Sequence, residues 1–194
     1  MPDIKALCVY CGSSGDVDPA HLKAARKTGR LAAERGIAIV FGGGHVGMMG
    51  ALADGALEAG GQVIGIIPEI LRKREAAHAG ASEMIVVDSM HTRKRQMFER
   101  SDAFCTLPGG MGTLDETFEI ITWKQIGLHD KPIVLANLGG YWDPLLTMLA
   151  HQREAGYIRP QHTGLYRVVE RVESIFDAIA GAPPPQFPGE TERF

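Results

Sequence analysis

Residues 103–116 read AFCTLPGGMGTLDE, an apolar run that passes through a glycine-rich turn into a helical pattern. The run Ala103–Leu107 predicts a buried strand, and Thr113 begins a helix directly after the glycines. Because N–H groups at a helix N-terminus lack partners within the helix and attract anions, such a turn can hold a phosphate group. The candidate phosphate contacts are Gly109, Gly110, Met111, Gly112 and Thr113. A tight turn that binds nothing is the alternative, and a second such turn at the same sheet edge would weaken it.

A second glycine turn occurs in residues 37–50, IAIVFGGGHVGMMG, between a strand pattern and a helix pattern. Its G-x-G-x-x-G spacing makes Gly43 and Gly44 candidate phosphate contacts. A dinucleotide site would also have an acid about 20 residues later, whereas the nearest candidate, Glu69, follows Pro68 and comes late. The chain also leaves no room for a dehydrogenase substrate domain, so these features disfavour a nicotinamide-dependent oxidoreductase. Ser13, after the first apolar run, is a further candidate that could bind phosphate or cap a turn.

Short apolar runs alternate with helical patterns along the chain, which predicts an α/β fold with a mostly parallel sheet covered on both faces. The expected strands are Ala6–Tyr10, Ile37–Phe41, Gln62–Ile67, Met84–Val87, Ala103–Leu107, Pro132–Ala136 and Leu165–Val169. The expected helices are Pro19–Arg35, Gly47–Ala59, Met90–Ser101, Thr113–Ile126, Pro144–Ala155 and Val172–Ile179. Residues 1–180 are expected to form a single domain, and the Pro-rich segment 181–194 a flexible tail.

Composition excludes several classes of protein. The 194 residues have 45% hydrophobic content and a net charge of -3, enough for one core and without the basic surface that nucleic acid requires. No apolar run approaches the roughly 20 residues that cross a bilayer, and the first residues lack the apolar core of a signal peptide. The three cysteines fit a reducing compartment, so we expect a cytoplasmic protein with no membrane partner.

Two helices carry charges next to the predicted turns. A helical wheel at about 100° per residue predicts the buried stripe of the helix from Thr113, which consists of Leu114, Phe118 and Ile121. Glu116 lies on the opposite side of this helix, near the ligand that the turn would hold. In the helix from Met90, Arg93 and Lys94 flank a methionine stripe at the binding edge of the sheet. Such cations can simply cover apolar surface with their stems, but beside two anion-holding turns a phosphate or substrate role for Arg93 is favoured.

No metal site or cofactor is expected. Cys8 and Cys11 have C-x-x-C spacing, but Cys8 lies inside a strand and no second pair accompanies them, so core packing explains them best. The seven histidines show no metal-ligand spacing, and the sequence has neither a Walker motif nor G-x-S-x-G.

The motifs together resemble those of the LOG (Lonely Guy) family of cytokinin riboside 5'-monophosphate phosphoribohydrolases, often mislabelled as lysine decarboxylases. Residues 108–116, PGGMGTLDE, are similar to the family's P-G-G-x-G-T-x-x-E motif, and residues 90–94, MHTRK, to its M-H-x-R-K motif. Residues 11–14, 42–50 and 121–127 also resemble family segments, and the similarity extends from about Leu7 to Ile158. A decarboxylase would need a Schiff-base lysine for pyridoxal phosphate and a larger fold, neither of which is present in this sequence.

The resemblance implies a Rossmann-like, doubly wound fold of about seven strands, usually dimeric, that hydrolyses the N-glycosidic bond of an adenosine 5'-monophosphate without a cofactor. It implies that Arg93 and Glu116 are the catalytic pair. Further ligand contacts are implied for Lys94, Gly110–Thr113, Thr122 and Glu75.

The residue types also suit this chemistry, because a carboxylate such as Glu116 can stabilise positive charge on the sugar and activate water. Arg93 either steers the phosphate or ribose hydroxyls or balances the charge of Glu116. The main alternative is a non-catalytic nucleotide- or molybdenum-cofactor-binding carrier on the same scaffold. The presence of both Arg93 and Glu116 favours the enzyme, since a carrier needs no carboxylate at the sugar.

Overall fold

A computed structural model describes residues 4–72 and 77–183, in which seven strands form one sheet. The strands are β1 (Ala6–Tyr10), β2 (Ala38–Phe41), β3 (Val63–Pro68), β4 (Glu83–Val87), β5 (Ala103–Thr106), β6 (Ile133–Ala136) and β7 (Arg167–Val169). Their spatial order is β4-β3-β2-β1-β5-β6-β7, and each neighbouring pair is parallel. The predicted α/β fold with a parallel sheet is confirmed.

Among the described residues, seven α-helices connect or follow these strands. They are α1 (Pro19–Ala33), α2 (Gly47–Glu58), α3 (Glu69–Arg72), α4 (Met90–Glu99), α5 (Met111–Gln125), α6 (Asp143–Glu154) and α7 (Ser174–Ala180). Asp18 caps α1 by accepting a hydrogen bond from the Ala20 N–H at 2.8 Å. Gly36, Gly60 and Gly127 follow their helices with positive φ angles, as expected of helix stop signals. The single turn α3 was not predicted, because a four-residue helix carries no periodic pattern.

Helices cover both faces of the sheet. One apolar cluster joins the sheet to α1, α2 and α7, and a second joins the opposite face to α4 and α5. The central strands β1, β2, β5 and β6 are almost fully buried, which explains their continuous apolar sequences. The doubly wound prediction is therefore confirmed.

The predicted orientation of α5 was wrong. Its buried residues are Thr113, Glu116, Thr117 and Ile120, whereas Leu114, Phe118 and Ile121 are only half-buried. Thr117 faces the sheet, where its hydroxyl lies 2.9 Å from that of Thr106 and also bonds to the Thr113 carbonyl. A polar face can pack inward here because its hydroxyls find partners, and it carries Glu116 inward with it.

The chain order reverses between β1 and β5, which are neighbours in the sheet although three strands separate them in sequence. In open parallel sheets the crevice at the carboxyl ends of such strands is the usual ligand site. The single domain over residues 1–180 stays a prediction, and residues 184–194 of the predicted tail lie outside the described residues.

Candidate active site

A cleft of about 510 Å³ opens at the carboxyl ends of β1 and β5. Loops after both strands form its walls, together with the first turns of α2, α4 and α5. The lining residues are Cys11, Gly12, Ser13, Ser14, Asp16, Val17, His21, Met48, Met49, Met90, Arg93, Pro108, Gly109, Gly110, Met111, Gly112, Thr113, Glu116 and Tyr141. The structure thus brings both predicted catalytic residues, Ser13 and the whole 109–113 turn into one site.

The turn after β5 presents a helix N-terminus to this cleft. Helix α5 begins at Met111, with Gly110 as its N-cap, and not at Thr113 as predicted. A Cβ atom at Gly110 or Gly112 would meet no other atom within 4 Å, so that side of the turn is open. At Gly109 a Cβ atom would lie 2.1 Å from Thr113 Oγ1, so close packing requires glycine there. The N–H groups of the first turn have no carbonyl partners within α5, which makes them available to an anion.

Arg93 and Glu116 form a buried ion pair in the cleft. Arg93 Nη2 lies 3.6 Å from Glu116 Oε1, and the two side chains are 5% and 7% exposed. The same nitrogen donates a hydrogen bond to the Gly42 carbonyl at 3.3 Å. The buried Arg93 Nε has no hydrogen-bond partner within the described part of the chain.

The thiols near this pair remain protonated. Burial, followed by the neighbouring Glu116 carboxylate, raises the pKa of Cys11 well above its usual range. The same causes in the same order raise the pKa of Cys8. Both thiols are buried and free of disulfides, so core packing is confirmed for the C-x-x-C pair. Cys11 lines the cleft, but a thiol held in this form is a poor nucleophile.

Lys94 lies outside the cleft lining. Its ammonium contacts Glu119 at 3.0 Å and Asp115 at 3.2 Å, and its side chain is 12% exposed. Burial alone would lower the pKa of Lys94, but the two carboxylates outweigh burial and raise it. Lys94 therefore ties α4 to α5 directly beside the Arg93–Glu116 pair and does not line the cleft.

The glycines of the turn after β2 contact residues of the site without lining the cleft themselves. Gly43 and Gly44 are buried and do not line the cleft. The Gly43 carbonyl accepts a hydrogen bond from the His78 N–H, and Gly44 forms a bridge with Ala77. At the start of α2, the Met48 N–H donates to the Gly12 carbonyl at 3.1 Å. The Gly12 carbonyl thus takes one of the free N–H groups at the helix N-terminus where the sequence predicted a phosphate.

The remaining predicted contacts are dispersed. Ser13 and the 83% exposed Met111 lie at the cleft, whereas Thr122 is exposed on α5 and is not part of the lining. Glu75 lies outside the described residues.

Sequence reasoning missed several lining residues, among them the polar side chains Asp16, His21 and Tyr141. Tyr141 follows β6, whose apolar run and subsequent Gly139-Gly140 pair were a usable signal of another loop at the binding edge. Asp16 and His21 have no periodic or motif signal of their own.

Within residues 4–72 and 77–183, no three His, Cys, Asp or Glu side chains are grouped so that they could hold a metal ion. None of the described helices is both long and apolar enough to cross a bilayer.

Comparison with known proteins shows the family of the chain. A family model described as "Possible lysine decarboxylase" matches residues 49–179. A cytokinin riboside 5'-monophosphate phosphoribohydrolase of Rhodococcoides fascians is 42% identical over 179 residues, which cover 92% of this chain and 90% of that protein. A protein of the same name from Arabidopsis thaliana is 40% identical over 185 residues, which cover 90% and 85% of the two chains.

Solved structures share the fold. The molybdenum cofactor binding protein of Rippkaea orientalis has a TM-score of 0.69 at 22% identity, covering 93% of this chain and 98% of that one. The molybdenum cofactor carrier protein of Chlamydomonas reinhardtii has a TM-score of 0.69 at 24% identity, covering 90% and 95%. At these identities the likeness extends to the fold alone. The family model and the relatives at 40% and 42% identity show more than the fold. They show that the chain belongs to the LOG family of phosphoribohydrolase-like proteins.

Proposed function

We propose that this protein hydrolyses the N-glycosidic bond of adenosine 5'-monophosphate and its N6-substituted forms, releasing the free base and ribose 5-phosphate. The observation that carries the proposal is the buried Arg93–Glu116 pair, which shares one cleft with the glycine turn at the start of α5. Hydrolysis of a phosphorylated nucleoside requires a group that binds the phosphate and a carboxylate near the sugar. The turn and Glu116 provide these two features in one cleft.

In this mechanism the N–H groups of residues 110–113 hold the 5'-phosphate, which orients the ribose over Glu116. The glycosidic C–N bond breaks, and its electron pair leaves with the base while positive charge develops on the sugar. The Glu116 carboxylate stabilises that charge and accepts a proton from the attacking water, whose oxygen bonds to the anomeric carbon. The departing base takes up a proton, which balances the hydrolysis.

Arg93 has two functions in this scheme. Its guanidinium offsets the charge of the buried carboxylate, which would otherwise be costly to keep ionised away from water. Because Arg93 lines the cleft, its guanidinium also provides a donor for a ribose hydroxyl or a phosphate oxygen. In this proposal Arg93 therefore serves both charge balance and steering.

The test is incubation of the purified protein with AMP and with isopentenyladenosine monophosphate, followed by chromatography for free base. Glu116→Gln is the negative control, and Glu154→Gln on the exposed end of α6 is the matched carboxylate control. Base release that requires Glu116 and not Glu154 supports the enzyme. Tight binding of AMP without any release would favour the alternative, a nucleotide carrier.

We also propose that the protein is a cytoplasmic homodimer. The half-buried apolar side chains Leu114 and Phe118 lie on one face of α5 and favour contact with a second copy. The three free cysteines suit a reducing compartment. Light scattering coupled to gel filtration tests the dimer, and Phe118→Glu should shift the protein to monomer.

A further inference from the structure

The turn before α5 has its three consecutive carbonyl groups fixed by hydrogen bonds. The Pro108 carbonyl accepts from the Gly12 N–H at 3.0 Å, and the Gly110 carbonyl accepts from the Leu114 N–H at 3.1 Å. The middle carbonyl, that of Gly109, accepts from the Tyr141 hydroxyl at 2.8 Å. Backbone groups therefore hold the outer two, and a side chain holds the middle one.

The middle peptide unit is the one that most needs such a partner. It joins Gly109 to Gly110, and without Cβ atoms on either side it can rotate at little steric cost. In a trans peptide the C=O and N–H point in opposite directions. Holding the Gly109 oxygen therefore also sets the direction of the Gly110 N–H, at the N-cap of α5.

Tyr141 is itself well placed to hold this oxygen. After β6 the chain turns through Gly139 and Gly140, whose φ angles are 61° and 76°, and so reaches Tyr141 at the cleft. The phenol ring packs edge-on against Trp142 at 4.7 Å and against His21 at 5.4 Å between ring centroids. These two aromatic contacts orient the ring of Tyr141, which is 42% exposed, and its hydroxyl bonds the turn.

We propose that Tyr141 is a positioning residue, which keeps the 108–113 turn in the form that binds a phosphomonoester. Tyr141 acts through the Gly109 carbonyl and not by reacting with substrate. The proposal rests on the proposed function, because that function supplies the phosphorylated ligand.

The experiment compares Tyr141→Phe with wild type and with Tyr157→Phe, whose side chain is 87% exposed on the surface. The Phe variant keeps the aromatic ring and removes only the hydroxyl. Calorimetry measures binding of ribose 5-phosphate and of adenosine, and kinetics with AMP separate KM from kcat. A single hydrogen bond of ordinary strength predicts a roughly three- to tenfold weaker affinity for ribose 5-phosphate.

Adenosine affinity and thermal unfolding should be unchanged in Tyr141→Phe, and KM for AMP should rise by more than kcat falls. Equal weakening of both ligands, or none, would overturn the positioning role while leaving the proposed function intact. A wild-type protein that binds neither AMP nor ribose 5-phosphate would overturn both, so the two failures are distinguishable. Loss of affinity in Tyr157→Phe as well would also contradict a specific role for Tyr141.

Discussion

Replacing Glu116 by Gln perturbs the buried ion pair while keeping the size of the side chain. The variant should still bind AMP, because the N–H groups of the 108–113 turn are unchanged. It should lose most base release, because a neutral amide neither stabilises a sugar cation nor takes a proton from water. Removing one preorganised electrostatic group from an active site typically lowers turnover by at least about a hundredfold.

The same substitution should also reduce stability. At 3.6 Å the pair is separated by more than a normal hydrogen-bond distance, so its attraction is chiefly Coulombic. Removing one partner from a buried pair costs about 3–5 kcal/mol, and the Gln oxygen still attracts Arg93, so we expect the lower limit of about 3 kcal/mol. For a chain of this length that predicts a melting temperature lower by roughly 6–12 °C.

The assay measures free base by chromatography and unfolding by calorimetry on the same preparation. Glu154→Gln, a substitution on the exposed end of α6, controls for the loss of one carboxylate and should match wild type in both measurements. Near-normal base release by Glu116→Gln would refute the catalytic role. Normal release with lower stability would assign the pair to the fold alone.

Three further outcomes follow from the structure. Arg93→Ala should abolish turnover and destabilise the protein, whereas Arg95→Ala, which removes a 57% exposed side chain paired with Glu99, should change neither; activity and melting curves check both. AMP should be cleaved at least about a hundredfold more efficiently than adenosine, because several charge-assisted hydrogen bonds of about 1.5–3 kcal/mol each are lost with the phosphate, and equal rates would refute this role of the turn. Burial lowers the pKa of His129 to about 4 from 6.5, so its contribution to stability is complete above pH 6.5 and is lost as the pH falls to about 4. That loss approaches about 3 kcal/mol, and denaturant unfolding should show that His129→Gln, unlike a substitution of the exposed His151, removes this part of the pH dependence.

Patterns of neighbouring residues predicted the fold better than the orientation of its helices. Apolar runs predicted all seven strands, and the signal is clearest for the central strands, because a strand buried on both faces is apolar along its whole length. The apolar stripe of α5 misled because Thr117 packs inward through hydroxyl contacts that hydrophobic periodicity does not register. Sequence patterns also could not predict where individual side chains lie. Lys94 and Arg93 are adjacent cations, yet Lys94 pairs with α5 outside the cleft and Arg93 lies buried in the cleft.

The two glycine turns illustrate why one motif cannot be interpreted alone. Both follow a strand and open a helix, but the N-terminus of α2 receives the Gly12 carbonyl, whereas Gly110 and Gly112 at the start of α5 face open space. The first turn positions the loop after β1 and, through the Gly42 carbonyl, one nitrogen of Arg93. The second turn is left to meet the ligand, within the same cleft as Glu116.

The presence of a buried carboxylate beside the anion-binding turn distinguishes the proposed enzyme from a carrier of the same fold. An anion-binding turn suffices to hold a phosphorylated molecule, and a carrier needs nothing more from the cleft. Burying Arg93 beside Glu116 adds a desolvation penalty that an apolar pair of similar volume would avoid. A binding protein gains little from that arrangement, whereas an enzyme that must stabilise a sugar cation gains a carboxylate already oriented and shielded from water. The carboxylate, and not the glycine turn, is therefore the feature on which the assignment of hydrolysis depends.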